Sequence, residues 1–248
     1  MKDLSEELKR MGMQVSSNES KEARDQRISK NIQSYRDKLK IKKPSELTLQ
    51  MYRRRFSEAY FQVTGNAWNK QSEARGAIVQ LAQWFSGEIS MPNIKADKGL
   101  YLYGGFGTGK TSIMKAFNLM TNTRKFKMKS SKDIAKAYAG DNSLGEVGGY
   151  AAIKRYTDLT VRNGNTEGWM FDDLGAEKNM KHFGQEENVM ADIMTSLYDK
   201  GHKGKVHVTS NLDPNQLSER YGERAASRMM EMFNFVHVVE KRDWRTSQ

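Results

Sequence analysis

The segment GLYLYGGFGTGKT, residues 99–111, is the most informative part of this chain. Its last eight residues match the pattern G-x-x-x-x-G-K-[ST] in full. A run with strand character, Gly99–Tyr103, enters the loop, and an apolar-faced helix predicted over Lys110–Met120 leaves it. A strand, a glycine-rich loop and a helix in this order are typical of a P-loop, in which backbone N–H groups bind phosphate oxygens.

Each part of the loop has a chemical reason. Glycines let backbone N–H groups approach anionic oxygens where a side chain would collide, and the helix points its positive end at the phosphates. Lys110 is predicted to reach the β and γ phosphates, and the Thr111 hydroxyl to ligate Mg²⁺. The sequence therefore predicts ATP and Mg²⁺ as cofactors. The predicted nucleotide-binding residues are Gly104, Gly105, Phe106, Gly107, Thr108, Gly109, Lys110, Thr111 and Ser112.

A P-loop requires an acidic residue on a neighbouring strand to hold magnesium. The run Trp169-Met170-Phe171-Asp172-Asp173 supplies one. Asp172, as the last residue of the strand beside the P-loop, is predicted to bind Mg²⁺ through water. Asp173 is placed to polarise the attacking water, and Glu177 in the same loop is the alternative. The sequence leaves the choice between Asp173 and Glu177 open.

Polar residues near the C-terminus are candidates for contacts with the γ-phosphate. The β-rich run starting at Val206 is expected to be the strand between the P-loop and the acidic strand. It ends in Thr209, Ser210 and Asn211, and Asn211 is favoured as the residue that senses this phosphate. Arg224 and Arg228 are four apart and share one helix face. An arginine can stabilise a phosphoryl group bound to a neighbouring subunit. The pattern by itself favours a solvated face, with Glu223 and Glu231 as ion-pair partners.

Short apolar runs alternate with helical segments after Lys98, which predicts an α/β fold with a parallel sheet and crossover helices. The predicted strands are Gly99–Tyr103, Phe126–Lys129, Gly168–Asp172, Lys205–Thr209 and Phe235–Val239. The predicted helices are Lys110–Met120, Lys132–Ala139, Gly149–Leu159, Gln185–Lys200 and Gly222–Met232.

The N-terminal part is basic and is predicted to be helical. Residues 1–98 carry +7 of the formal net charge of +11, which favours a polyanionic partner such as nucleic acid. We expect a basic helical or partly disordered segment over residues 1–45 and a helical module over 46–95 that breaks near Gly65. Residues 96–248 form the predicted ATPase domain. Tyr52, Phe56 and Tyr60 could stack on single-stranded DNA, but their helical spacing favours core packing.

Composition narrows the class of protein further. The chain contains no cysteine, which excludes disulfides and thiolate metal sites. It begins with a charged stretch and has no apolar run long enough for a membrane span. We therefore expect a cytoplasmic protein that does not interact with membranes.

Four segments together resemble the AAA+ ATPases of the DnaC-type helicase-loader and IstB-like group. They are GLYLYGGFGTGKTS (99–112), FDDLGAE (171–177), TSNL (209–212) and RYGERAASRMMEM (220–232). The resemblance runs from about Lys98 to the last residue and implies a three-layer α/β/α AAA+ domain. It implies a five-stranded parallel sheet with little or no C-terminal lid.

The resemblance also implies roles for individual residues. Asn211 would be sensor 1, Arg228 the arginine finger that acts on a neighbouring subunit, and Arg224 its companion. Arg245, in Asp243-Trp244-Arg245, would be a sensor 2 contact to the γ-phosphate of its own subunit. Self-assembly into a ring or spiral follows from the same resemblance.

The expected function is that of an ATPase that acts on single-stranded DNA and loads a replicative ring helicase in DNA replication. The alternative within the group is an IstB-like transposition ATPase whose partner is a transposase. A further alternative is a nucleotide-gated DNA-binding switch that hydrolyses weakly, because Asp173 stands where a glutamate is more familiar.

Overall fold

The computed structural model describes residues 49–69, 72–121, 124–140, 148–159, 161–162, 165–182 and 185–239. All of them belong to one compact unit, Glu46–Gln248. The segment 1–45 lies outside the described residues. So do residues 240–248, which include Arg245 and bear on the expectation of little or no C-terminal lid. Within the described ranges, no helix is both long enough and apolar enough to cross a bilayer.

Helices and strands alternate along this unit as the sequence predicts. The helices are α1 (Leu49–Thr64), α2 (Arg75–Ser86), α3 (Lys110–Met120), α4 (Ser131–Ala139), α5 (Tyr150–Thr157), α6 (Val189–Asp199), α7 (Leu217–Tyr221) and α8 (Glu223–Met232). The strands of the main sheet are β1 (Gly99–Tyr103), β2 (Phe126–Ser130), β5 (Gly168–Leu174), β8 (Val206–Ser210) and β9 (Phe233–His237). Two hairpins add β3 (Val161–Arg162) with β4 (Asn165–Thr166), and β6 (Met180–His182) with β7 (Gln185–Glu187).

The main sheet has five parallel strands in the order β2-β5-β8-β1-β9. Because the carboxyl ends of parallel strands meet at one edge, the ends of β1, β5 and β8 converge. β8 separates β5 from β1, which confirms the expectation that the β-rich run starting at Val206 lies between the P-loop and the acidic strand. That position of β8 places its last residues between the P-loop and the acidic strand.

Side chains of successive strand residues enter two separate cores, one on each face of the sheet. Leu100 and Leu102 pack with α1, α2 and α3, whereas Tyr101 packs with the helices of the other face. This alternation follows from the period of two in a strand and yields the expected three-layer α/β/α architecture.

The two N-terminal helices share their core with the P-loop helix. Tyr52, Phe56 and Tyr60 are buried, which confirms core packing and removes their faces from DNA stacking. Phe117 of α3 packs against Phe56 and Phe85, at ring-centroid distances of 5.1 Å and 5.0 Å. The helices of the expected 46–95 module are therefore packed on the ATPase core.

Some predicted boundaries differ from the structure. The last strand begins at Phe233 and ends at His237, because its ladder with β1 pairs Phe233 with Gly99 and His237 with Tyr103. The helix expected from Gln185 begins at Val189, because residues Gln185–Glu187 pair with Met180–His182 in a hairpin. Gly65 adopts a positive φ of 74° after α1, and the helix ends where the sequence predicts.

Candidate functional site

The P-loop occupies the carboxyl edge of the sheet, between β1 and α3. Gly104 has a φ of 151°, and a Cβ atom there would lie 2.4 Å from the carbonyl oxygen of Val238. Gly107 and Gly109 have φ values of 73° and 81°, a region that L-residues with side chains rarely adopt. These three glycines are required by the backbone path. Phe106 is exposed at the tip of the loop, and Ser112 is half-buried in the first turn of α3.

Lys110 lies under the loop with only 6% of its surface exposed. Its Nζ atom donates to the carbonyl oxygens of Gly104, at 2.9 Å, and Gly105, at 2.7 Å. It also donates to Oδ1 of Asn211, at 2.9 Å. The structure thus brings the predicted phosphate-binding lysine and the predicted sensor together from residues 101 positions apart in the chain.

Thr111 and Asp172 meet at the same edge. The Thr111 hydroxyl donates to Oδ1 of Asp172 at 2.7 Å, and the Thr209 hydroxyl donates to the same oxygen at 2.6 Å. A hydroxyl and a carboxylate are oxygen groups of the kind that Mg²⁺ prefers, and Mg²⁺ usually keeps several waters. The pair therefore fits Mg²⁺, with Thr111 as a direct ligand and Asp172 as the acceptor for a water of the metal's shell.

A metal here would need oxygens from outside the protein. Within the described residues, no group of three or more histidine or acidic side chains is placed to hold an ion. Mg²⁺ commonly takes one or two protein ligands and completes its shell with water and phosphate oxygens. The Thr111–Asp172 pair is of this type.

A bulge at the end of β5 sets the direction of the two aspartates. Phe171 pairs with Val208 and Leu174 with Ser210, so β5 has one more residue than β8 between these pairs. Asp173 takes a φ of 54°, and no other non-glycine residue in the described part of the chain has a positive φ. Its N–H donates to the Thr209 hydroxyl at 3.1 Å. Bulges next to active sites commonly redirect a side chain, and the left-handed backbone costs Asp less than most residues.

Glu177 lies in the turn after β5, but its carboxylate is engaged by protein groups. Its side chain is 2% exposed. Oε1 accepts from the Tyr221 hydroxyl at 2.7 Å and from Arg220 at 3.3 Å, and Oε2 accepts from the Gly175 N–H at 2.8 Å. Burial, and after it the charge of Glu177, raises the pKa of Tyr221 far above its usual value, so the phenol stays protonated and donates.

The predicted arginines differ in their surroundings. Arg224 is exposed on α8. Arg228 is 17% exposed and forms an ion pair with Asp199 of α6 at 3.0 Å, with its guanidinium 5.4 Å from the centre of the Tyr198 ring. The expected partner Glu231 instead accepts from Tyr198 and Lys203. Packing of α8 on α6 makes this difference, because it brings Asp199 to Arg228.

Two residues, Thr209 and Tyr60, make contacts at the site that the sequence did not predict. Thr209 bridges the two aspartates, although from the sequence it was only a secondary candidate for phosphate sensing. Its position at the end of a buried β-run was the available signal. Tyr60 of α1 approaches the P-loop, since its hydroxyl would lie 3.6 Å from a Cβ at Gly109. No local pattern links Tyr60 to the loop.

Comparisons with known proteins support the fold. No protein-family model and no curated protein matches the chain. The crystal structure of the DnaC helicase loader is similar with a TM-score of 0.51 at 17% identity, over 73% of this chain and 98% of that chain. The crystal structure of DnaI gives a TM-score of 0.49 at 20% identity, over 71% and 87% of the two chains. AMPPCP-bound DnaA from Aquifex aeolicus gives 0.44 at 18% identity, over 78% and 50%.

The similarity to the DnaC loader covers nearly all of that chain and most of this one. Together with the five parallel strands and the P-loop between β1 and α3, it confirms the AAA+ fold and, at the level of the fold, the resemblance to the DnaC-type group.

Proposed function

We propose that this chain binds and hydrolyses ATP with Mg²⁺ and acts in DNA replication as a loader of a ring-shaped helicase. The observation that carries the nucleotide part is the convergence of Lys110, Asn211, Thr111 and Asp172 at one edge of the sheet. These side chains come from three separate elements, and the chemistry of each suits a triphosphate or its metal.

Within one subunit the roles follow from the contacts. The N–H groups of the P-loop bind the phosphates, and Lys110 exchanges its loop carbonyl acceptors for β and γ oxygens. Thr111 would ligate Mg²⁺, and Asp172 would hold it through water. Asn211 stays beside Lys110, where it detects whether a γ-phosphate is present. When bound, Mg²⁺ neutralises charge on the phosphates as the γ-phosphoryl group is transferred.

Asp173, rather than Glu177, is the residue that we propose for positioning the attacking water. Hydrogen bonds from Gly175, Tyr221 and Arg220 already occupy the Glu177 carboxylate. Asp173 is half-exposed at the bulge and directly follows Asp172. A carboxylate whose oxygens already accept three hydrogen bonds has fewer lone pairs left with which to orient a water.

Hydrolysis is proposed to depend on assembly, with Arg228 supplied to the ATP of a neighbouring subunit and Arg224 beside it. For this role, Arg228 has to exchange its intramolecular partner Asp199 for a phosphate. The exposed Arg224 needs no such exchange. Arg245 is proposed as the cis contact to the γ-phosphate.

The loader role rests on the fold similarity to the DnaC helicase loader and on the basic N-terminal part. Lysines and arginines there suit the phosphates of single-stranded DNA or an acidic surface of the helicase. The rival in the same group, an IstB-like transposition ATPase, would act with a transposase. The two are separated by mixing the full chain with the replicative helicase or the transposase of the same genome. An ATP-dependent complex with one of them, detected by size-exclusion chromatography, decides between them.

The nucleotide site is tested by Lys110→Ala in the full chain, with Lys115→Ala as the matched control. Lys115 is an exposed lysine of the same helix, so its loss changes the net charge equally but leaves the loop intact. Loss of a charged hydrogen-bond donor should weaken Mg-ATP binding about 10- to 100-fold in Lys110→Ala. Lys115→Ala should bind as the wild type does, as measured by calorimetry.

Phosphate release in the presence of a single-stranded oligonucleotide completes the test. Turnover in the wild type and its loss in Lys110→Ala support the ATPase. ATP binding without turnover in the wild type would support the nucleotide-gated switch. Equal ATP affinity in Lys110→Ala and wild type would refute the assignment of the phosphate site.

A further inference from the structure

A buried carboxylate links the turn after β5 to helix α7. The turn, residues 173–177, begins with Asp173 and ends with Glu177, and α7 contributes Arg220 and Tyr221. Arg220 also donates to the carbonyl oxygen of Glu177 at 2.6 Å and to Oδ1 of Asn179 at 3.2 Å. Two consecutive residues of α7 thus hold the C-terminal end of this turn at Glu177.

Protein donors compensate the buried charge of the Glu177 carboxylate. A buried carboxylate without partners would lose several kcal/mol of hydration energy. Here the Glu177 carboxylate receives three hydrogen bonds, one of them from a guanidinium. The Gly175 N–H is one of these donors, so the carboxylate also closes the turn on itself. A network with every member satisfied holds its parts in one arrangement.

The same turn contacts the end of β8. The Ser210 hydroxyl donates to the carbonyl oxygen of Leu174 at 2.6 Å and accepts from the Leu212 N–H at 3.0 Å. A Cβ at Gly175 would lie 2.6 Å from the Leu212 side chain. Asn211, which contacts Lys110, lies between Ser210 and Leu212. Anything that fixes the turn therefore fixes both Asp173 and Asn211.

We propose that Glu177 is a positioning residue, and that its contacts with Arg220 and Tyr221 hold Asp173 and Asn211 in place for hydrolysis. It acts through the turn and makes no contact with ATP or water. The inference rests on the proposed ATPase function and gives Glu177 a role other than that of a base. Displacing reacting groups by about 1 Å costs about 100-fold in rate.

The test uses Glu177→Gln, Tyr221→Phe and the double variant of the full chain. Tyr221→Phe removes one donor and keeps the ring. Glu167→Gln is the matched control, because Glu167 precedes β5 at its opposite end and forms an exposed pair with Lys127. Steady-state phosphate release gives kcat and KM for ATP at a temperature at which circular dichroism finds every variant folded.

Both single variants should lower kcat about 10- to 100-fold and leave KM within about twofold, because the phosphate-binding loop is intact. The double variant should lose about as much kcat as the more impaired of the two single variants, because both changes break one unit. Glu167→Gln should match the wild type.

Four results would overturn the inference. If Glu177→Gln abolishes turnover while Tyr221→Phe has no effect, Glu177 is itself the base. If kcat is unchanged in both while their melting temperatures fall, the network serves stability alone. If the wild type releases no phosphate, the proposed ATPase function and this inference are both refuted. If the wild type is active, Lys110→Ala is inactive and the Glu177 variants are unaffected, only the inference is refuted.

Discussion

His207 predicts a specific dependence of stability on pH. Its ring is 2% exposed and lies among aromatic side chains, 4.9 Å from the ring centre of Trp84 and 5.1 Å from that of Phe126. Its Nδ1 atom accepts from the Leu100 N–H at 3.2 Å. Burial, followed by the positive charges of Arg124 and Lys205, lowers the pKa of His207 from 6.5 to about 3. The folded protein therefore contains neutral His207 at any pH above about 3.

The sign and size of the effect follow from the two pKa values. The unfolded chain binds a proton below pH 6.5 and the folded chain does not, so the contribution to stability is complete above 6.5 and is lost as the pH falls towards 3. Each pH unit in this window costs about 1.4 kcal/mol. Between pH 7 and pH 5, His207 alone should therefore remove about 2 kcal/mol from the free energy of unfolding.

The measurement is urea unfolding of the wild type and His207→Asn at pH 7 and pH 5. Asparagine places an oxygen near the position of Nδ1, so it can still accept from Leu100, but it does not titrate in this range. The variant is less stable at pH 7 because the smaller side chain leaves a cavity. Other titrating groups contribute equally to both proteins and cancel in the difference.

The difference in unfolding free energy between the two proteins should shrink by about 2 kcal/mol on going from pH 7 to pH 5. A difference that stays constant across this interval would mean that His207 titrates equally in the folded and unfolded chains. The buried, neutral state of the ring would then be refuted.

Two further predictions concern the site. Thr209→Val removes the hydroxyl that bridges Asp172 and Asp173. It should lower the free energy of unfolding by about 1–3 kcal/mol and reduce the rate of phosphate release more than ATP affinity. Wild-type turnover in a folded variant would contradict this role of Thr209. Arg228→Ala should keep ATP affinity and lose oligomer-dependent turnover, with about 1 kcal/mol of stability lost from its ion pair. Asp199→Ala breaks the same pair but keeps the guanidinium, so it should stay active; unchanged turnover in both variants would make Arg228 purely structural.

Elements with a strong local signal were predicted from the sequence with little error. β1 and α3 have the predicted bounds, Gly99–Tyr103 and Lys110–Met120, because an apolar run, a fixed glycine motif and a helical stripe follow one another without a break. The hairpin of β6 and β7 was not predicted. Its strands, MKH and QEE, are short and polar, and cross-strand pairing rather than local preference makes them strands.

The proposed roles of single residues also differ in whether they follow from a local motif or depend on tertiary contacts. The role of Lys110 follows from its place in the motif. The role of Glu177 depends on Tyr221, which lies 44 positions further on, and nothing in the intervening sequence reports that they touch. The Arg228–Asp199 pair likewise depends on how α8 packs against α6.

The phosphate-binding loop could be predicted from the sequence, because backbone freedom at glycines and a lysine at fixed spacing are local properties of the chain. The alternation of strands and helices, and the place of the Val206 strand between the P-loop and the acidic strand, could be predicted as well. The contacts of Thr209 with both aspartates and of Asn211 with Lys110 became visible only in the folded protein. These contacts join segments that are distant in the chain, and their geometry depends on packing that no short window of sequence encodes.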